Sequence, residues 1–204
     1  TDSSGVKQIT GNTYYSDMAV FSFHPVKHIA TGEGGMITTN SREVYEKLLQ
    51  LRTHGITRDP SKFKNSIEFA GGEGTSYPGW YMEMQELGYN YRITDIQAAL
   101  GLSQLSRAEY NLSRRIKIAL NYDTAFKDHP FLVSPGLELN KNNNFQHAYH
   151  LYIVLAKNRL GLYNYLKDKG IYCQIHYIPV HLMPYYLEKG WKDGDMPESE
   201  SYYG

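Results

Sequence analysis

Lys27 is the residue whose surroundings suggest covalent chemistry. It lies just past the apolar run Met18-Ala-Val-Phe-Ser-Phe23 and just before a stretch carrying Gly32, Gly34 and Gly35. A lone lysine is ordinarily a solvated surface charge. A loop at a strand end, however, is where α/β proteins place ligands. Burial there would depress the lysine pKa, and an amine must be neutral to attack an aldehyde. The glycines let the backbone pass close to a bulky group. Ser22, five residues earlier, offers a hydroxyl that could hydrogen-bond a phosphate. These are the parts of a covalent aldehyde-binding site, with a plain surface lysine as the alternative reading.

The elements that would position them follow from pattern. Residues 18–23 read as a buried strand, 24–35 as a returning loop and 36–39 as a second strand. Ser41 can cap a helix to about Arg52, with Val44, Leu48, Leu49 and Leu51 as its apolar positions. Residues 53–91 show no sustained period, and a connection of that length is usually functional. Thr94-Asp-Ile-Gln97 is a capping box opening a helical stretch to about Lys127, long enough to bridge two domains. Beyond Pro130 the spans 131–133, 149–155 and 172–177 read as strands, with a helix over 163–169 between the last two. That alternation predicts a small α+β domain.

The literal strings go further. Ser22-Phe-His-Pro-Val-Lys27 with Gly32-Glu-Gly-Gly35 comes first. Gly88-Tyr-Asn-Tyr-Arg-Ile-Thr-Asp-Ile-Gln-Ala-Ala99 comes second. His176-Tyr-Ile-Pro-Val-His181 with Pro184-Tyr-Tyr186 comes third. Three blocks in this order resemble the DegT/DnrJ/EryC1/StrS family of sugar aminotransferases, most closely its branch serving pseudaminic acid synthesis. The resemblance implies an α/β protein of fold type I among pyridoxal-phosphate-dependent transferases. Residues 1–105 would be the later part of the α/β/α large domain with its mixed sheet. Residues 106–204 would be a small C-terminal α+β domain, with the bridging helix at about 94–127.

The resemblance also implies pyridoxal 5'-phosphate as cofactor, with Lys27 as its Schiff-base lysine and then as the base that moves the substrate proton. Ser22 would hold the cofactor phosphate. Asn90 would reach that phosphate from the neighbouring subunit of a homodimer. Asp2 would face the pyridine nitrogen, although Gly5 stands where the family pattern has a histidine and the span from Asp2 to Lys27 is short. Arg92, Tyr177 and His181 would lie on the substrate side, with a structural salt bridge as an equal reading of Arg92. The implied reaction moves an amino group from L-glutamate to C4 of a UDP-linked 4-keto-6-deoxy sugar. Family members are considerably longer, so this chain is expected to be a C-terminal fragment with an incomplete site. A non-catalytic sugar-binding or assembly role is the alternative.

Composition bounds the rest. Lys+Arg and Asp+Glu are 21 each, so no net basic charge invites nucleic acid or acidic lipid. No apolar run is long enough to span a bilayer. Cys173 stands alone, which rules out a disulfide framework and fits a reducing cytoplasm. The histidines pair as His24/His28, His147/His150 and His176/His181, but none follows a His-Glu-x-x-His pattern, so no metal site is expected. The glycine spacing is neither Walker-type nor Rossmann-type. Dehydratases of the family carry histidine in place of the lysine, and Lys27 argues against that activity.

Overall fold

The computed structural model describes residues 5, 6, 8–134 and 147–204. Asp2 lies outside the described residues. The chain divides into two compact units, Thr1–Ala125 with Gly136–Tyr152, and Phe126–Pro135 with Ile153–Gly204.

The first unit opens on a hairpin. Strand β1 (Ala19–Ser22) pairs antiparallel with β2 (Gly35–Thr38), matching Ala19 to Thr38 and Ser22 to Gly35. Helix α1 (Arg42–Arg52) follows at once, because the Ser41 hydroxyl accepts the Val44 N–H and Glu43 sits in the first turn. Residues 53–91 then form a closed excursion. Its ends zip together through β3 (Ile56–Thr57) and β4 (Glu83–Met84), a Thr53–Asn90 bridge, and the bonds from His54 N–H to Tyr89 O and from Tyr89 N–H to Leu51 O. The closure brings two glycines into backbone contact. A Cβ on Gly88 would lie 2.1 Å from the Gly55 nitrogen and 2.7 Å from the Leu51 carbonyl oxygen.

Helix α2 (Asp95–Leu105) starts at a complete capping box. The Gln97 N–H donates to the Thr94 hydroxyl, and the Gln97 carboxamide oxygen accepts from the Thr94 N–H. The helix expected to run unbroken over 94–127 is two helices, α2 and α3 (Ala108–Phe126). Between them the Ser106 hydroxyl bonds back to the Ser103 carbonyl, competing locally with the helical ladder.

In the second unit β5 (Leu132–Val133) pairs with β6 (Leu155–Ala156). Helix α4 (Arg159–Asp168) is capped by the Asn158 carboxamide oxygen, which accepts the Gly161 N–H at 3.0 Å. Short turns follow as α5 (Pro184–Leu187) and α6 (Pro197–Tyr203), both led by a proline whose missing N–H costs nothing there.

Two expectations are corrected. The spans 149–155 and 172–177 are not strands; only Leu155–Ala156 pairs. A strand persists by pairing, and no backbone bond reaches 172–177 among the described residues. The core is also thin. Ala70, Ala119 and Tyr149 are the buried apolar residues among those described, because the strands stop at two-stranded antiparallel pairs with no further strand laid beside them.

The closure of the excursion is testable. Gly88→Ala is expected to lower unfolding free energy by about 3 kcal/mol in urea titration, since only backbone could yield. Gly79→Ala, whose Cβ would meet nothing within 4 Å, is expected to change it by less than about 0.5 kcal/mol.

Candidate active site

Lys27 heads the loop between β1 and β2. Its N–H donates to the His24 carbonyl at 2.9 Å, closing a turn. Below that turn, Phe23 N–H bonds to Gly34 O at 2.8 Å and Thr31 N–H bonds to Phe23 O at 2.9 Å. The hairpin is thereby extended two rungs past its strands. Lys27 is half-buried, and among the described residues its amine has no hydrogen-bond or ion-pair partner. Ser22 ends β1 opposite Gly35, exposed, its hydroxyl accepting, among the described residues, a long bond of 3.4 Å from the His24 N–H. A Cβ on Gly35 would lie 2.8 Å from the Phe21 carbonyl oxygen, so glycine is needed for this approach.

The return of the loop is pinned at one atom. The Glu33 carbonyl oxygen accepts the Thr31 hydroxyl and the Gln97 amide, the latter at 2.9 Å. Thr31 is buried, and its methyl stands 3.1 Å from where a Cβ on Gly101 would sit. Helix α2 therefore packs directly beneath the glycine-rich return.

His28 follows Lys27 and turns inward. Its ring lies 5.9 Å from that of His150, and its Nε2 is buried with no hydrogen-bond partner. Burial first, then the charges of Arg115 and His150, hold its imidazole below the usual range. Asn90 and Arg92 are exposed at the base of the excursion, beside the stacked rings of Tyr89 and Tyr91. Neither side chain has a partner among the described residues.

Tyr177 and His181 belong to the second unit. Tyr177 is exposed, stacks on His176 and accepts the Gln174 amide at 3.2 Å. His181 is 8% exposed, and its Nε2 lies 2.6 Å from Glu200 Oε1. Glu200 also accepts the Gly194 and Met196 N–H groups. The His181 bond, opposed by burial, holds the Glu200 carboxyl below its ordinary range. His181 thus braces the C-terminal turns.

Two structural residues escaped the sequence reading. One is Glu200. The other is Glu83, 7% exposed inside the excursion. Its carboxylate accepts the N–H groups of Lys64 and Asn65, the Tyr81 hydroxyl and the Gln85 amide, at 2.8 to 3.1 Å. No sequence signal marks either one, since their donors come from loops without a period. A concavity of about 810 Å³ along α1 contains none of the candidate site residues. Among the described residues no three His, Cys, Asp or Glu side chains converge as a metal site, and no helix is long and apolar enough to cross a membrane.

The model of the DegT/DnrJ/EryC1/StrS aminotransferase family matches residues 7–204, and the chain belongs to that family. The uncharacterized protein MJ1066 of Methanocaldococcus jannaschii is 40% identical over 194 residues, covering 92% of this chain and 47% of that protein. The spore coat polysaccharide biosynthesis protein SpsC of Bacillus subtilis is 36% identical, covering 92% and 46%. The UDP-4-amino-4,6-dideoxy-N-acetyl-β-L-altrosamine transaminase of Campylobacter jejuni is 33% identical, covering 84% and 41%. Among solved structures, Helicobacter pylori PseC, an aminotransferase involved in pseudaminic acid biosynthesis, matches with a TM-score of 0.70 at 31% identity, covering 85% and 42%. The likeness extends to the fold of these enzymes over the part of their length that the chain covers. The chain spans less than half the length of these relatives. MJ1066 and SpsC stand above the altrosamine transaminase in identity, so similarity does not single out the pseudaminic acid branch.

Glu83 supplies a pH test. Burial works against its ionisation, and the bonds from Gln85, Asn65, Lys64 and Tyr81 outweigh it, holding the carboxyl at about 2 against an ordinary 4.5. A depressed folded-state value contributes stability in full above pH 4.5 and loses it as pH falls toward 2. Glu83→Gln is expected to lower the melting temperature at pH 7, with the gap to wild type narrowing from pH 4.5 to pH 2 in scanning calorimetry.

Proposed function

We propose that the protein is a pyridoxal-phosphate-dependent aminotransferase that moves an amino group from L-glutamate to C4 of a UDP-linked 4-keto-6-deoxy sugar. The observation that carries this reading is the Lys27 amine. It stands at the head of a hairpin loop, half-buried and free of any partner among the described residues. The family depends on pyridoxal phosphate, the altrosamine transaminase is named for a UDP-linked amino sugar, and PseC is an aminotransferase of pseudaminic acid biosynthesis.

The residues present fit that cofactor. Lys27 offers an amine, Ser22 a hydroxyl held by one long bond, and Asn90 an exposed carboxamide. Pyridoxal phosphate would supply an aldehyde and an electron-withdrawing ring. Lys27 would bind it covalently, and its amine, once released, would hold the proton taken from the amino acid. Ser22 and Asn90 would bind the phosphate, Asn90 from the second subunit of a homodimer. Asp2 is proposed against the pyridine nitrogen. Arg92 and Tyr177 would contact substrate, and His181 would set the 180–182 turn on the substrate side. The proposed domain boundary lies at 105/106, at the break between α2 and α3, with 1–105 completing an α/β/α large domain. The proposed location is the cytoplasm.

Borohydride reduction in the presence of pyridoxal phosphate tests the reading. A single phosphopyridoxyl adduct on Lys27, absent from Lys27→Ala, is the expected mass-spectrometric result. Labelling scattered over surface lysines would overturn it. Ser22→Ala is expected to raise the Kd for pyridoxal phosphate about tenfold, for loss of one hydrogen bond to a charged group of about 1.5 kcal/mol. Fluorescence titration measures it.

A further inference from the structure

The Gln97 carboxamide is divided between two tasks. Its oxygen accepts the Thr94 N–H and the Thr94 hydroxyl, both at 3.0 Å, which completes the α2 cap. Its nitrogen donates at 2.9 Å to the carbonyl of Glu33, 64 residues away. The orientation is set by chemistry, since the opposite flip would aim an amide N–H at the Thr94 N–H and the carboxamide oxygen at the Glu33 carbonyl oxygen. The capping box alone explains the oxygen. It does not explain the nitrogen, because glutamate serves a capping box equally and adds a favourable charge at the helix N-terminus.

What the nitrogen holds is the loop of Lys27. Glu33 lies between Gly32, at φ +83°, and Gly34, at φ +148°. A backbone through two glycines has many alternatives and no regular ladder to select one. The Thr31 hydroxyl ties the turn internally, and Gln97 ties it to a helix. Gly101, one turn further along α2, lets the buried Thr31 come down onto the same helix.

We propose that Gln97 is a positioning residue that latches the glycine-rich return of the Lys27 loop to the N-terminal turn of α2. Within one subunit the latch ties the segment carrying Asn90 and Arg92 to the loop carrying Lys27, so what a subunit offers its own site and what it offers its neighbour's move together. The inference rests on the reading of Lys27 as the Schiff-base lysine, while the latch itself is measurable without it.

The test is a reciprocal pair of substitutions in the whole protein. Gln97→Glu keeps the cap and replaces the donor to Glu33 by an acceptor. Gln97→Lys keeps a donor and removes the side-chain half of the capping box. For Gln97→Glu the expected results are an unchanged or raised melting temperature and about tenfold faster amide exchange confined to residues 28–36. Borohydride trapping of Lys27 is expected to slow and kcat to fall about tenfold, with both KM values within about twofold. Unchanged protection and trapping in Gln97→Glu would reduce Gln97 to a cap residue and overturn the latch. Should Gln97→Glu not fold, Gln97→Lys decides: loop protection retained while the helix loses stability supports the latch, and both lost together overturns it. Wild-type protein with no Lys27 adduct would sink the catalytic reading and leave the exchange result to decide the latch.

Discussion

The carbonyl oxygen of Glu33 is where two distant stretches of the chain meet, and the geometry around Lys27 depends on that meeting. The loop over residues 23–34 is neither helix nor sheet. Each of its residues loses about 1–2 kcal/mol of conformational freedom on being ordered. Little apolar burial offsets that cost, so a few well-directed hydrogen bonds must select the conformation. The Phe23 rungs hold the loop at its base, and the Thr31 and Gln97 donors hold its return. Lys27 is left as the end of a framework rather than part of it.

The same device recurs where the apolar core is thin. Glu83 organises the long excursion by accepting donors from both of its limbs, and Glu200 gathers the C-terminal turns around His181. A buried carboxylate is costly unless saturated with donors, and once saturated it fixes the path of several loop segments at once. Apolar surface meanwhile remains open. Ile96 is 83% exposed and Leu102 69% exposed on α2, a helix with no buried residue. A helix apolar on every side is of the kind that proteins bury. The relatives of this chain are more than twice the length that it matches.

The two glycine contacts illustrate a constraint of a different kind. Gly55 and Gly88 touch backbone to backbone, and that contact decides where the excursion ends and Asn90 begins. Length and aromatic content mark 53–91 as a special segment. They carry no information about which residues close it, because the closing bonds are main-chain bonds that any residue can make. The glycines are necessary for the approach and do not by themselves reveal it.

Local chemistry is what the sequence alone determined. The Ser41 cap and the Thr94–Gln97 capping box rest on contacts within a few residues, the β1–β2 hairpin on contacts within twenty, and all are present where pattern placed them. The three motif blocks likewise identified the family from side chains whose identity is visible in the string. Tertiary structure decided everything that depends on a partner remote in the chain. It withheld pairing from residues 172–177, committed His181 to Glu200, and gave the second end of Gln97 to Glu33. Periodicity and capping are properties of one segment against solvent, whereas a hydrogen bond across 64 residues exists only once both segments have been placed, and no local pattern encodes that placement.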